Sequence, residues 1–231
     1  IKKATIRNYE IGLKGRAPTW FFDTSIYAIT GKDEIVRSLE NTQTTFRNSG
    51  KTLKLGMEFS GSTEVLDGLW LGSTYAYSYY KFDKFREPVN GVEVERSNNR
   101  LPFVPSHRYT LFATYSHPIG LRVRLQTDTW GSYYVDNANS EKYGGYDFLT
   151  TLNVAYQREG HELSVNIQNL TDLRYALEVE KGTNGRYSIV GGAPINYLIS
   201  YRYLFPNWEK AWNDISNGFG LFGSPAEQSR R

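Results

Sequence analysis

The chain has 231 residues, a net charge of +3 and no cysteine, which excludes disulfide, CxxC redox and thiolate–metal chemistry and argues against a nucleic-acid partner. Only 39% of residues are hydrophobic while 15% are aromatic, and the mean hydropathy is −0.53. Such a composition ill suits a soluble core but not a membrane barrel, whose inner face is wet, and no apolar run approaches the roughly 20 residues of a spanning helix.

The opening IKKATIRNYE lacks a basic region followed by an apolar run, so the chain is expected to be a processed or cut portion of an exported protein. Period-2 alternation then predicts nine strands, at residues 6–15, 20–31, 46–60, 69–80, 107–115, 121–135, 146–157, 162–168 and 194–205. In the first two, Glu10, Lys14 and Asp23 fall on the polar face. The third sets Leu53, Leu55, Met57 and Phe59 against Thr52, Lys54, Gly56 and Glu58. Arg108 is polar-facing in the fifth, and the sixth sets Leu121, Val123 and Leu125 against Arg122, Arg124, Gln126 and Asp128. Asp147 is assigned to the polar face of the seventh. The eighth opposes Leu163, Val165 and Ile167 to Glu162, Ser164, Asn166 and Gln168, and the last opposes Ile195, Tyr197, Ile199, Tyr201, Tyr203 and Phe205 to Asn196, Ser200 and Arg202. Arg7 and Lys81 break the pattern at strand ends, where headgroups replace hydrocarbon.

Alternation alone also fits an antiparallel sandwich with one wet face. Two features favour the membrane. Many strands are longer than the soluble mode of about 5–6 residues, and aromatics crowd strand ends at Trp20–Phe21–Phe22, Tyr75–Tyr77–Tyr79 and Tyr133–Tyr134. Connections alternate between short turns (15–19, 61–68, 116–120, 158–161) and longer loops (36–45, 81–106, 136–145, 177–193), as in outer-membrane barrels. Bacterial single-chain barrels have even strand numbers, so an odd count predicts further strands elsewhere in the protein. With the short turns periplasmic, the first and last strands both run toward the periplasm.

Four motifs carry a family resemblance. The run LSVNIQNLTDLRY at 163–175 resembles the penultimate-strand motif of TonB-dependent outer-membrane receptors, in which an alternating strand ends in an Asn-Leu-Thr/Phe-Asp-x-x-Tyr turn. FRNSGKTLKLGME at 46–58, LPFVPSH at 101–107 and the aromatic YLISYRYLF at 197–205 resemble three other strands of that family, in the family's order. The resemblance implies an all-β transmembrane antiparallel β-barrel of 22 strands around an N-terminal plug, of which residues 1–205 would form the last nine. It also implies a Gram-negative outer-membrane location with a periplasmic C-terminus, and the TonB–ExbB–ExbD complex, the plug and outer-membrane lipid as partners. Residues 206–231 depart from the pattern: Trp208, Trp212, Ile215 and Phe219 recur at helical spacing, predicting a short amphipathic periplasmic helix.

Other motifs carry less. GFGLFG at 218–223 matches GxGxxG but follows no strand, and Gly50-Lys51-Thr52 lacks the earlier glycine of a P-loop. Asn169-Leu170-Thr171 is a formal glycosylation sequon better read as a turn. His107, His117 and His161 lie too far apart in sequence for a zinc site, and no nucleophile–base pair marks an enzyme. No cofactor is expected.

The resemblance further implies that outer loops and upper lumen capture a scarce nutrient, typically a ferric chelate. Flat, anionic siderophores suit aromatic and basic contacts, which nominates Tyr80, Phe82, Phe85, Arg86, Arg96 and Arg100 on the longest loop. Tyr133, Tyr134, Tyr143, Arg186 and Tyr187 follow, with Arg122, Arg124, Asp128 and Arg202 as lumen or plug contacts. A passive porin-like channel and a β-sheet surface binding module remain the alternatives.

Overall fold

The computed structural model describes residues 2–40, 43–48, 50–182 and 184–204. Its 17 strands are β1 (Thr5–Ala17), β2 (Trp20–Lys32), β3 (Ile35–Glu40), β4 (Gln43–Asn48), β5 (Lys51–Leu66), β6 (Leu69–Lys84), β7 (Arg86–Val89), β8 (Val92–Glu95), β9 (His107–Ser116), β10 (Leu121–Trp130), β11 (Tyr133–Tyr134), β12 (Lys142–Tyr143), β13 (Tyr146–Arg158), β14 (His161–Gln168), β15 (Ala176–Lys181), β16 (Tyr187–Gly191) and β17 (Asn196–Tyr203). Nine form one antiparallel sheet in the order β1-β2-β5-β6-β9-β10-β13-β14-β17. The other eight pair as hairpins within the four long loops, at the end of the sheet opposite the tight turns.

Registers follow the sequence alternation. Glu10 faces Tyr27, Tyr27 faces Gly56, and Gly56 faces Ser78, so the polar face runs unbroken across four strands. The opposite face presents Ile11, Ile26, Met57 and Tyr77 in one row. Among the described residues nothing covers that apolar face: even on central strands Leu71, Leu111 and Leu125 remain more than 40% exposed. A soluble protein would bury these residues; burying a Leu side chain is worth about 1.5–3 kcal/mol. Lipid is the solvent that satisfies the arrangement.

Aromatic and histidine side chains bracket the apolar band. Toward the loops, His107 sits between Tyr75 and Tyr77, taking part in a 2.8 Å hydrogen bond with the Tyr75 hydroxyl. Toward the turns lie Trp20 stacked on Phe22, Tyr115 beside His117, and His161 beside Tyr201 and Tyr203. From Leu69 to Tyr77 on β6 the strand climbs eight residues, ~27 Å along its own axis. At a tilt of about 35–45° this rises roughly 19–22 Å, most of the ~25 Å apolar band of outer-membrane barrels.

Several predicted boundaries shift. Phe46 belongs to the loop hairpin β4 rather than to the sheet strand, which begins at Lys51. β6 runs on to Lys84, and β10 stops at Trp130, leaving Tyr133 and Tyr134 in a separate hairpin. Asp147 is a correction. A bulge lets β13 spend two residues, Asp147 and Phe148, against Thr129, so Tyr146 takes the polar-face position beside Trp130. Phe148 carries the positive φ of 56°, and Asp147 consequently leaves the polar face. The predicted tail helix at 206–231, and Phe205, lie outside the described residues.

Candidate functional site

The polar face is a charged wall. Lys14 pairs with Asp23 at 2.8 Å, and Thr110 donates to Asp128 at 2.6 Å. Near the tight turns, Glu162 of β14 holds Arg122 of β10 at 3.4 Å and also Arg202 of β17. Arg122 must reach across β13 to do so, and the residue it passes is Ala155, small enough to be covered by the pair. Arg124 has no carboxylate partner among the described residues: it donates to Thr114 and Gln126, with its guanidinium 4.1 Å from the Phe112 ring centre. Higher up, a groove of about 680 Å³ is lined by Glu10, Asp23, Glu58, Arg108, Asp128 and Tyr146. Thus Arg122, Arg124, Asp128 and Arg202 all stand on the polar wall.

Tyr80 is also on this wall, its hydroxyl 2.6 Å from that of Tyr27. The contact depends on Gly56 between them: a β-carbon there would lie 2.2 Å from Cζ of Tyr27. Only glycine lets the tyrosine ring lie flat across β5.

The loop hairpins build a second unit. Phe82 and Phe85 stack at 4.4 Å and, with Val36 and Leu101, form a small hydrophobic core. Both are buried, and they hold the longest loop against the first hairpin. Arg96 is held 3.0 Å from the buried carboxylate of Glu87, which also accepts from Asn137 at 2.8 Å. Arg100 is turned elsewhere: it stacks over Tyr79 at 4.2 Å and donates to the Ser78 carbonyl. Asn139 ties its backbone by accepting from the Arg100 N–H and donating to the Arg100 carbonyl. Tyr133 is buried too, edge-on to Tyr143, with its hydroxyl accepting from the Val179 N–H. Burial pushes its pKa up. These contacts, with Phe103 N–H donating to Tyr134 O and Lys181 N–H to Val135 O, join the four loops into one platform.

Arg86, Tyr134, Arg186 and Tyr187 keep accessible surface on this platform. Arg86 pairs with Glu95, whose carboxyl is held below its ordinary range by the Ser97 hydroxyl and by Arg86. Lys142 lies 4.7 Å from the Tyr134 ring centre. Tyr187 donates to Glu141, which also binds Lys181. These two partners depress the Glu141 pKa, and Glu141 in turn raises those of Lys181 and Tyr187. Between the hairpins lies a cavity of about 330 Å³ bordered by Glu87, Arg96, Phe103, Asn137, Glu180 and Lys181. The sequence reading missed Glu87, Asn137 and Asn139, because nothing local marks a polar loop residue that ties a distant hairpin.

The 163–175 motif has a structural explanation. Asn169, at φ 52°, donates to the Leu173 and Ala193 carbonyls and accepts from the Leu173 N–H. Asp172 accepts from the Ile195 N–H at 3.0 Å, and Tyr175 packs edge-on to Tyr146 at 4.9 Å. The turn therefore clamps both ends of the last loop, and its buried Asn169 has no room for a glycan.

Comparison with known proteins places this architecture. Residues 1–170 match the model of the family described as TonB dependent receptor-like, beta-barrel. Among solved structures, the siderophore receptor PiuA from Acinetobacter baumannii is 21% identical with a TM-score of 0.68, covering 86% of this chain and 28% of that one. The ferric yersiniabactin uptake receptor FyuA from Yersinia pestis is 22% identical with a TM-score of 0.69, covering 87% and 30%. The copper transporter OprC is 17% identical with a TM-score of 0.66, covering 87% and 32%. At these identities the likeness is one of fold, and the chain spans less than a third of each of those proteins.

Proposed function

Since this chain belongs to the TonB-dependent receptor β-barrel family, we propose that it forms part of the wall of an outer-membrane transporter for TonB-dependent uptake of a scarce nutrient, in a Gram-negative bacterium. The carrying observation is the two-faced sheet: charges and hydroxyls on one side, a broad uncovered apolar band on the other, and aromatic belts at both ends. Among the described residues β1 and β17 are the edge strands of the sheet, and unpaired edges call for further strands. Thirteen more would complete the 22 of the resemblance, enclosing an N-terminal plug that engages the TonB–ExbB–ExbD complex. The tight turns then face the periplasm, as does the C-terminus, and the hairpin platform faces outward.

The ligand class we favour is an iron chelate, typically a ferric siderophore. PiuA and FyuA are named for siderophore and ferric yersiniabactin uptake, whereas OprC is named for copper, so fold alone does not choose the cargo. The accessible aromatic and cationic groups support an anionic, partly aryl ligand: Tyr134, Arg186 and Tyr187 on the platform, Tyr80 and Arg124 on the wall. Phe82, Phe85 and Tyr133 support those contacts from beneath. The activity proposed is transport rather than catalysis.

The test uses the intact receptor. Cells or energised vesicles carrying it are expected to accumulate a radiolabelled ferric chelate, and an uncoupler should abolish uptake while leaving surface binding in place. Uncoupler-insensitive flux of small solutes would instead establish a passive channel. A protein that stays soluble without detergent would support a surface binding module.

A further inference from the structure

The tip of the β7–β8 hairpin carries chemistry that transport does not use. Asn-Gly occurs three times in the chain, at 90–91, 184–185 and 217–218, the last outside the described residues. Asn90 and Gly91 form the two-residue loop between the paired Val89 and Val92, with φ of 51° and 80°. Two positive angles make this a type I′ turn, which asparagine followed by glycine favours. Both residues are exposed, the adjoining Val92 is 64% exposed, and a β-carbon on Gly91 would meet nothing within 4 Å. Among the described residues neither the Asn90 carboxamide nor the Gly91 N–H has a hydrogen-bond partner.

The second dipeptide makes the contrast. Asn184 Oδ1 accepts from the Arg186 N–H at 3.0 Å, and the Gly185 N–H donates to the Gly182 carbonyl at 2.9 Å. Its hairpin is anchored as well, with the Val179 N–H on the Tyr133 hydroxyl and the Lys181 N–H on the Val135 carbonyl. The β7–β8 hairpin has four cross-strand pairs, and a two-stranded hairpin is marginally stable by itself. The same dipeptide thus sits in one braced turn and one open turn.

We propose that Asn90 is a self-modifying site, deamidated by attack of the Gly91 backbone nitrogen on its side-chain carbonyl. A bond forms between Gly91 N, which gives up its proton, and Asn90 Cγ; the Cγ–Nδ2 bond breaks and ammonia leaves. Water then opens the cyclic imide at one of its two carbonyls, leaving aspartate or isoaspartate. Glycine favours the attack because no β-carbon shields its nitrogen. The turn must rotate out of its I′ geometry first, so the rate follows local opening of the hairpin. Isoaspartate adds a main-chain methylene that the I′ turn cannot take up. β7 then loosens, and with it Glu87, which holds Arg96 at 3.0 Å and accepts from Asn137 at 2.8 Å. The reaction therefore releases the tie between the longest loop and its neighbour.

The experiment ages the intact receptor in detergent, in warm, mildly alkaline buffer, and follows tryptic peptides 87–96 and 182–186 by mass spectrometry. Each event adds about 1 Da, and fragmentation separates isoaspartate from aspartate. In the folded receptor Asn90 should convert at least about tenfold faster than Asn184, and unfolding in urea should close the gap. Equal rates in the folded receptor, or an unconverted Asn90, overturn the site. A gap that persists in urea traces to the flanking sequence rather than to the turns, and overturns it too. Asn90→Gly keeps a residue that tolerates positive φ but has no carboxamide. Hydrogen exchange across 86–95 and 135–139 should rise in aged wild type and not in aged N90G. Equal exchange in the two overturns the release of Glu87.

Discussion

The nine-stranded wall and the hairpin platform obey different physics. In the wall, adjacent residues alternate between lipid and water, so stability comes from strand pairing and from the solvent on each face. Among the described residues its buried set is small: Thr52, Ser78, Thr129, Ala155 and Glu162 lie there. The platform instead has an interior of its own, with Phe82 on Phe85, Glu87 on Arg96, and Tyr133 beneath Val179. The wall tolerates exchanges that preserve each face; the platform depends on particular pairs.

The comparison breaks most sharply at Phe82. Phe82→Ala should cost about 3–5 kcal/mol in local stability. Hydrogen exchange is expected to rise across 81–106 and its docked hairpins while β10 and β13 stay protected; equal loosening of wall and platform would merge the two regions. On the wall, Leu125→Arg should cost about 2–4 kcal/mol if that residue faces the bilayer midplane. Urea titration in vesicles reads this directly, and a neutral result would move Leu125 out of the lipid. Gly56→Ala comes next, at about 1–3 kcal/mol, because Tyr27 must leave its place across β5. Loss of the Tyr27–Tyr80 bond should accompany it, and Y27F/Y80F would reproduce only the hydrogen-bond share.

Smaller effects sharpen the contrast. Glu162→Gln should cost no more than about 1 kcal/mol, since both its arginine partners are more than half exposed to a wet lumen. A larger loss by thermal denaturation would show that the lumen wall behaves like the platform interior. The Glu141–Lys181–Tyr187 clasp predicts a pH window. The Glu141 contribution is present above the ordinary carboxylate pKa and lost as pH falls through its lowered folded value. Those of Lys181 and Tyr187 are present below their ordinary values and lost as pH rises through their raised ones. Exchange protection of β15 and β16 should therefore hold between about pH 5 and 10 and fall on either side. A flat profile would remove the clasp from the hairpin's stability.

The wall was legible because its rule is local. Leu53, Leu55 and Met57 against Lys54 and Glu58 announce a two-faced strand without knowledge of any neighbour. Where locality failed, so did the reading: the bulge at Phe148 moved Asp147 off the polar face, and the turn before Lys51 separated Phe46 from the strand. On the platform, residue type did not reveal burial. Of the aromatic and basic loop residues nominated as ligand contacts, Phe82, Phe85 and Tyr133 form its interior, and Arg96 and Arg100 are held by Glu87 and Tyr79.

By itself the sequence determined the number of strands in the main sheet, the sidedness of nearly every one of them and the end at which the loops lie, because period-2 alternation and turn chemistry need only nearby residues. Tertiary structure alone decided which loop residues are interior and that Arg122 reaches over Ala155 to Glu162. Those outcomes depend on register between strands far apart in the chain, and register brings together residues that no local pattern connects.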